Sequence, residues 1–304
     1  MNLLNRVVTR IESLPHESKV RAGLGLVLAS SFLFSLSNMF VKQITEFFSP
    51  FTVAFWRGWV GLMIILVFIR FDLRRVRGRN IKMLVLRGIL GTLSLSAFFT
   101  SIHYTTLSNS VGLFNTYPLW TALVGMLFFR ERWRNVYLLA LLCSAGGVWL
   151  IVRPDLGRAG MGEVLGLSSA FIVGWIINIV RSLRKTDSVF SIVFYFTAFT
   201  SIITLFPAGT REITLSISAW PGLFLVGFLM TIGQLLMTGG YTFCSATGGG
   251  IVSLLGLPFT LLLSTLFLGE RFDAFIGAGT LLIFLSGFLI VFSRKNARIE
   301  KLKG

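Results

Sequence analysis

The sequence predicts an all-α integral membrane protein of ten transmembrane helices in two inverted five-helix repeats. Three observations carry this: an apolar composition, ten apolar runs long enough to cross a bilayer, and one segment written twice. Of the 304 residues, 54% are hydrophobic and 13% charged, with a mean hydropathy of +0.81. Soluble domains carry about 25% charged residues, so a bilayer is the better solvent for this chain. The net charge of +16 does not point to nucleic acid, because the cations sit in short clusters between apolar runs. Cys143 and Cys244 have neither disulfide nor metal spacing, and no cofactor is expected.

Residues 1–21 form a cytoplasmic N-terminal segment without the apolar region and cleavage site of a secretory signal. Up to Pro15, Leu3, Leu4, Val7, Val8, Ile11 and Leu14 fall on one side and Arg6, Thr9 and Arg10 on the other. That is the pattern of an amphipathic helix on the membrane surface, or else of an exposed tail. The first repeat, 22–152, holds apolar runs at 22–41, 51–69, 83–104, 111–129 and 136–152. The second, 160–292, holds runs at 161–181, 189–206, 220–243, 250–268 and 274–292. Each comes close to the ~20 residues that a crossing requires. A basic cytoplasmic tail, 293–304, closes the chain, and the short linkers leave no room for a soluble domain.

The loop cations orient these runs. With the N-terminus in the cytoplasm, the inner segments hold 21 Lys and Arg residues. The outer ones hold five: Lys42, Arg153, Arg158, Arg211 and Arg271. Both termini are therefore expected in the cytoplasm of a bacterial-type inner membrane.

The doubled segment is "NTYPLWTALVGMLFFRERW" (115–133) and "LGLPFTLLLSTLFLGERF" (255–272), spans 4 and 9. A five-span unit enters the membrane upside down the second time. The charge agrees, because "RERWR" is basic and "GERFD" has lost the excess. Carriers use such inverted repeats to alternate access to a central site.

With Arg57 in span 2, "RGILG" opening span 3, "YTTLSNSVGLFNTYPLWTALVGMLFFRERW" through span 4, "GMGEVLGLSSAFIVGW" in span 6 and "LPFTLLLSTLFLGERF" in span 9, the chain resembles the ten-helix EamA group of the drug/metabolite transporter superfamily over residues 22–292. The resemblance implies a pseudosymmetric bundle that moves small metabolites such as amino acids. The expected partners are a small zwitterionic or anionic substrate and membrane lipid, with the chain a monomer or homodimer. A translocator of a lipid-linked substrate and a non-transporting receptor are the rival readings. An intramembrane enzyme would need a nucleophile with a base, or paired acids; the spans have His103 at an outer end and no well-buried acid, so no catalytic residue is assigned.

Arg57 is the foremost candidate for substrate binding, since an intramembrane Arg costs about 2.5–3.5 kcal/mol on insertion scales and no intramembrane acid pairs with it. Either it receives an anionic group or it braces backbone carbonyls; Trp56 lies beside it. Arg87, near the inner end of span 3, is expected to snorkel or bond a helix end. The neutral candidates are Asn38, Asn115, Tyr117, Trp175, Asn178, Tyr195 and Gln234, each of which is equally suited to hold helices together. Asn38 and Asn178 occupy similar places in spans 1 and 6. Pro118 and Pro258 each free a carbonyl within a span and are expected to open helices 4 and 9.

Overall fold

A computed structural model describes residues 15–129, 135–152, 160–183, 186–216, 219–243, 252–270 and 273–303. The amphipathic pattern before Pro15 and the cations Arg130, Arg132 and Arg134 lie outside the described residues. Within them the chain is helical, without strands. In the first half the helices are α1 (His16–Ile44), α2 (Pro50–Phe68), α3 (Ile81–Tyr104), α4 (Leu107–Phe114), α5 (Tyr117–Phe129) and α6 (Asn135–Val152). In the second they are α7 (Met161–Leu183), α8 (Val189–Ala208), α9 (Thr210–Ser216), α10 (Trp220–Phe243), α11 (Gly256–Leu268) and α12 (Ala274–Lys303).

Seven helical segments among the described residues are long and apolar enough to cross a membrane, and Leu138–Gly147, Gly256–Leu268 and Ala274–Leu289 are shorter apolar helices. Several of their starts are set by side-chain caps, which satisfy first-turn N–H groups that a helix cannot pair internally. The Ser49 hydroxyl accepts from Thr52 N at 3.2 Å with Pro50 next in line, and the Ser188 hydroxyl accepts from Ser191 N at 3.1 Å.

Span 4 is not one helix. The expected run at 111–129 begins at Leu107 and breaks at Asn115–Thr116, so that Pro118 is the second residue of α5. The side chains at the break bond back to the last turn of α4, whose carbonyls also accept the backbone N–H of the same residues: Asn115 Nδ2 donates to Val111 O at 2.7 Å, and Thr116 Oγ1 to Leu113 O at 2.8 Å. A proline near a helix start is tolerated, which is why the break precedes Pro118. Pro258 likewise sits in the first turn of α11.

One shift of 139 positions, Ser49 to Ser188, relates the packing of the two halves. It exchanges the close approach of Gly88 to Phe199 with that of Gly227 to Val60, and Gly240–Val27 with Gly166–Ser101. It exchanges the bond from Ser286 Oγ to Ala140 O (2.7 Å) with the contact of Gly147 on Gly279. Corresponding helices also run in opposite directions. Gly58 meets Ser201 while Gly61 meets Thr197, so α2 and α8 pack antiparallel; α6 and α12 do the same. The second half is thus inverted on the first, and small residues at the crossings let the backbones approach closely. In this register Asn38 corresponds to Ile177 and Asn178 to Met39. The resemblance between the two asparagines is therefore one residue out of step.

Candidate functional site

Pseudosymmetric contacts place the middle of α2 against the middle of α8, where position 57 meets its own counterpart, position 196. Arg57 stands seven residues into α2, about 10 Å along the axis, and its Cζ lies 4.6 Å from the centre of the Phe196 ring. Arg87 comes from the opposite end, six residues into α3, and its Cζ lies 4.2 Å from the same ring. The two guanidinium carbons are therefore separated by no more than the sum of those distances. Arg57 is 6% exposed and Arg87 7%. Arg87, expected to snorkel or to bond a helix end, keeps its side chain inside the protein, with Nε and Nη1 bonded to no carbonyl. Gly91, one turn further on, opens the room its guanidinium uses, for a Cβ at Gly91 would fall 2.0 Å from Arg87 Nη1.

The hydrogen bonding of this pair is incomplete. Arg57 Nε donates to Met230 Sδ at 3.2 Å, and a thioether is a weak acceptor. Arg57 Nη1, Arg87 Nε and Arg87 Nη1 are buried with no hydrogen-bond partner. Stacking on an aromatic face contributes about 0.5–2 kcal/mol but neutralises nothing. Against it stand a desolvation cost of several kcal/mol per ion and a mutual repulsion of about 2 kcal/mol at an effective dielectric of 20. Buried charges without partners are rarely kept for stability.

The neutral candidates fall in other places. Trp56 packs on the central apolar cluster, edge-on to Phe55 and Trp59. Its counterpart Tyr195 lies against the cluster of Leu84, Ile179, Leu183 and Ile192. The Trp175 ring packs tilted on Phe128, centroids 4.4 Å apart, and Asn178 Nδ2 donates to Thr121 O (3.2 Å) and Gly174 O (2.9 Å), which joins α7 to α5. The Tyr117 hydroxyl stands 3.4 Å from Ser253 Oγ, a contact between the halves at the span 4 break. Asn38 is buried on α1 and Gln234 half-buried on α10. These residues do not converge on Arg57. Arg87, Phe196, Gly91 and Met230 do, and the 139 register was the signal available for them: it sets Arg57 against Phe196, Arg87 against Val226 and Gly91 against Met230.

A second polar group closes the end that carries Lys42 and Tyr104. A cavity of about 470 Å³ there is lined by Lys42, Glu46, Tyr104, Thr105, Thr106, Leu268 and Glu270. Lys42 Nζ donates to Ile102 O (2.9 Å) and Thr105 O (2.8 Å), and His103 Nδ1 meets Thr45 O at 2.7 Å. Thr105 Oγ1 donates to Glu163 at 2.7 Å. Glu270 accepts from Leu107 N (2.5 Å), Ser108 N (3.0 Å) and Ser108 Oγ (2.5 Å), and so ties the second half to the start of α4.

An inverted pair of helical bundles with a broken helix in the middle and charge on the axis between them is the architecture of a membrane carrier. The chain belongs to the EamA-like transporter family, whose model matches it twice, over residues 21–153 and 160–292. It is a membrane transporter of small metabolites. It is 26% identical to the pseudopaline exporter CntI of Pseudomonas aeruginosa, over 91% of this chain and 98% of that protein. It is 25% identical to an uncharacterized transporter of Helicobacter pylori (92% and 98%) and 26% identical to solute carrier family 35 member G1 of Mus musculus (73% and 66%). A crystal structure with 14% identity shares the fold, with a TM-score of 0.59 over 90% of this chain and 96% of that one.

Proposed function

We propose that the chain is a ten-span secondary carrier of the inner membrane that moves a small amino-acid-like, zwitterionic or anionic metabolite by alternating access. Both termini lie in the cytoplasm, and the Lys42–Glu270 end faces outward. The three shorter apolar helices complete the ten spans, each lengthened by flanking residues. One chain supplies both halves, so no second subunit is needed, and its work is transport rather than catalysis.

The observation that carries this reading is the single register relating every major crossing of the two halves, with α2 antiparallel to α8 and α6 to α12. Such a pair has two arrangements that a pseudo-twofold rotation exchanges, one open to each side. The name of the Pseudomonas aeruginosa relative makes outward movement the first direction to assay.

The test is a thermal-shift screen of the purified chain against a metabolite panel, since a ligand of the folded state stabilises it by mass action, followed by flux of each hit in proteoliposomes. Flux in either direction is the expected outcome. Binding without flux in any lipid would replace the carrier by a receptor. Binding only to lipid-linked compounds would replace the soluble substrate by a lipid-borne one.

A further inference from the structure

We propose that Arg57 and Arg87 together form one anion site on the axis between the halves, and that it takes a doubly negative group, a dicarboxylate or a phosphate monoester, with the Phe196 ring between the guanidiniums. This deepens the carrier reading by naming its substrate class, and it rests on that reading only for the movement of the bound anion.

Three features of the site lead there. First, both side chains are more than nine-tenths buried, and three of their nitrogens have no acceptor. A guanidinium presents its N–H groups as a planar fork matched to carboxylate and phosphate oxygens. Second, the two share one ring, so a monoanion would leave one buried positive charge uncompensated, whereas a dianion compensates both. Third, the repeat gives a comparison inside the chain. Some corresponding positions at caps and crossings keep their character: Gly88 and Gly227, Thr92 and Thr231, Ser49 and Ser188. At the axis they do not. Arg57, Arg87 and Gly91 in one half answer to Phe196, Val226 and Met230 in the other. The counterparts of both cations are apolar side chains. The two cations are therefore not a feature that the repeat carries twice.

The site also lies where relative motion of the halves acts. Arg57 and Arg87 belong to α2 and α3, Phe196 and Met230 to α8 and α10. The seam around them is made by Gly58 on Thr197 and Ser201, and by Gly61 on Thr197 and Thr231. Rocking one half on the other opens this seam and admits the anion.

The experiment uses the full chain purified in detergent, with thermal unfolding read at constant ionic strength in chloride. Succinate, inorganic phosphate, acetate and glycine are the probes. Succinate or phosphate is expected to raise the midpoint by several degrees, while acetate and glycine leave it unchanged; which dianion acts separates the carboxylate from the phosphate class. Arg57→Gln and Arg87→Gln should each weaken dianion binding about thirtyfold or more. Each should also melt no lower than the parent without ligand, because an unpaired buried charge has been removed. Phe196→Glu should raise the midpoint without ligand and abolish the dianion response, since its carboxylate occupies the site from within. The proposal is overturned if acetate matches the dianions, if either Gln variant keeps the parent response, or if both Gln variants melt lower while binding is unaltered. Flux is judged separately: a transported compound indifferent to all three variants sinks this site and leaves the carrier, whereas dianion binding with no flux sinks the carrier and leaves the site.

Discussion

Removing the Glu270 carboxylate should open the Lys42–Tyr104 end of the molecule. Gly269 ends α11 with φ 65°, a left-handed turn that glycine adopts without strain, and this turns Glu270 toward the first turn of α4. There the carboxylate accepts two backbone N–H groups and the Ser108 hydroxyl, while Thr106 takes the Asn109 N–H at 3.2 Å. Glu270→Ala strands two donors and removes a negative charge from a helix N-terminus. Loss of the cap costs about 0.5–2 kcal/mol, and loss of the charge at the helix end about 0.3–2 kcal/mol. A combined loss near 2 kcal/mol changes an opening equilibrium about thirtyfold. Leu107 is fully buried at this junction. In purified protein with Cys143 and Cys244 replaced by serine, a Leu107→Cys thiol should therefore react up to about thirtyfold faster when Glu270→Ala is added. Glu270→Gln, which keeps an acceptor oxygen but not the charge, should fall between. Unchanged reactivity in a folded Glu270→Ala protein would refute the clasp, and an unchanged melting temperature as well would deny the carboxylate any part in stability.

Adjacent glycines test the packing of α6 on α12. A Cβ at Gly147 would lie 2.6 Å from Gly279 O, whereas one at Gly146 meets only Leu282 Cδ1 at an ordinary 3.6 Å. Helix propensity changes equally in both, so Gly147→Ala should be about 1–3 kcal/mol less stable than Gly146→Ala, the usual cost of overpacking; equal melting temperatures would place this face elsewhere. A reporter active only outside the cytoplasm should be silent when fused after Lys303 and active in the 153–160 loop, and the reverse pattern would overturn the orientation. Glu17 and Glu163 sit in the first turns of their helices, and the described acids lie at helix ends, so downhill flux should persist without a proton gradient. Strict proton dependence that survives His103→Ala would count against this and point to Glu163, which Thr105 Oγ1 already contacts.

Much of the architecture was legible because hydropathy and cation placement act along one dimension, as the sequence does. Ten apolar runs, the doubled segment around Pro118 and Pro258, and the isolation of Arg57 could all be read directly. The span 4 break falls before Pro118 rather than at it, because Asn115 and Thr116, three and two residues earlier, bond back to the carbonyls of Val111 and Leu113 and close the end of α4. The place of Arg87 is not legible in the sequence for a different reason. Its distance from the helix end predicts snorkelling, yet its direction is set by the missing side chain at Gly91 and by Phe196 on another helix. Depth is local information. Which side chains from four helices share a point is not.

The doubled segment and the single arginine pair then follow from one requirement. In a carrier whose two access states are exchanged by its pseudo-twofold axis, whatever closes one side needs a counterpart to close the other. Closing elements are therefore written twice, and the 139 register sets Glu131 of "RERW" against Glu270 of "GERF". A site on the axis is different, because it is the same site in both states. It needs only one copy of its chemistry, and its counterpart positions are free to serve as walls. Arg57 facing Phe196, and Arg87 with Gly91 answering to Val226 and Met230, fit that second rule, as Glu270 with its clasp on α4 fits the first. The repeated Glu-Arg segment therefore fits an element that both access states need, and the unrepeated arginine pair fits the single anion site proposed on the axis.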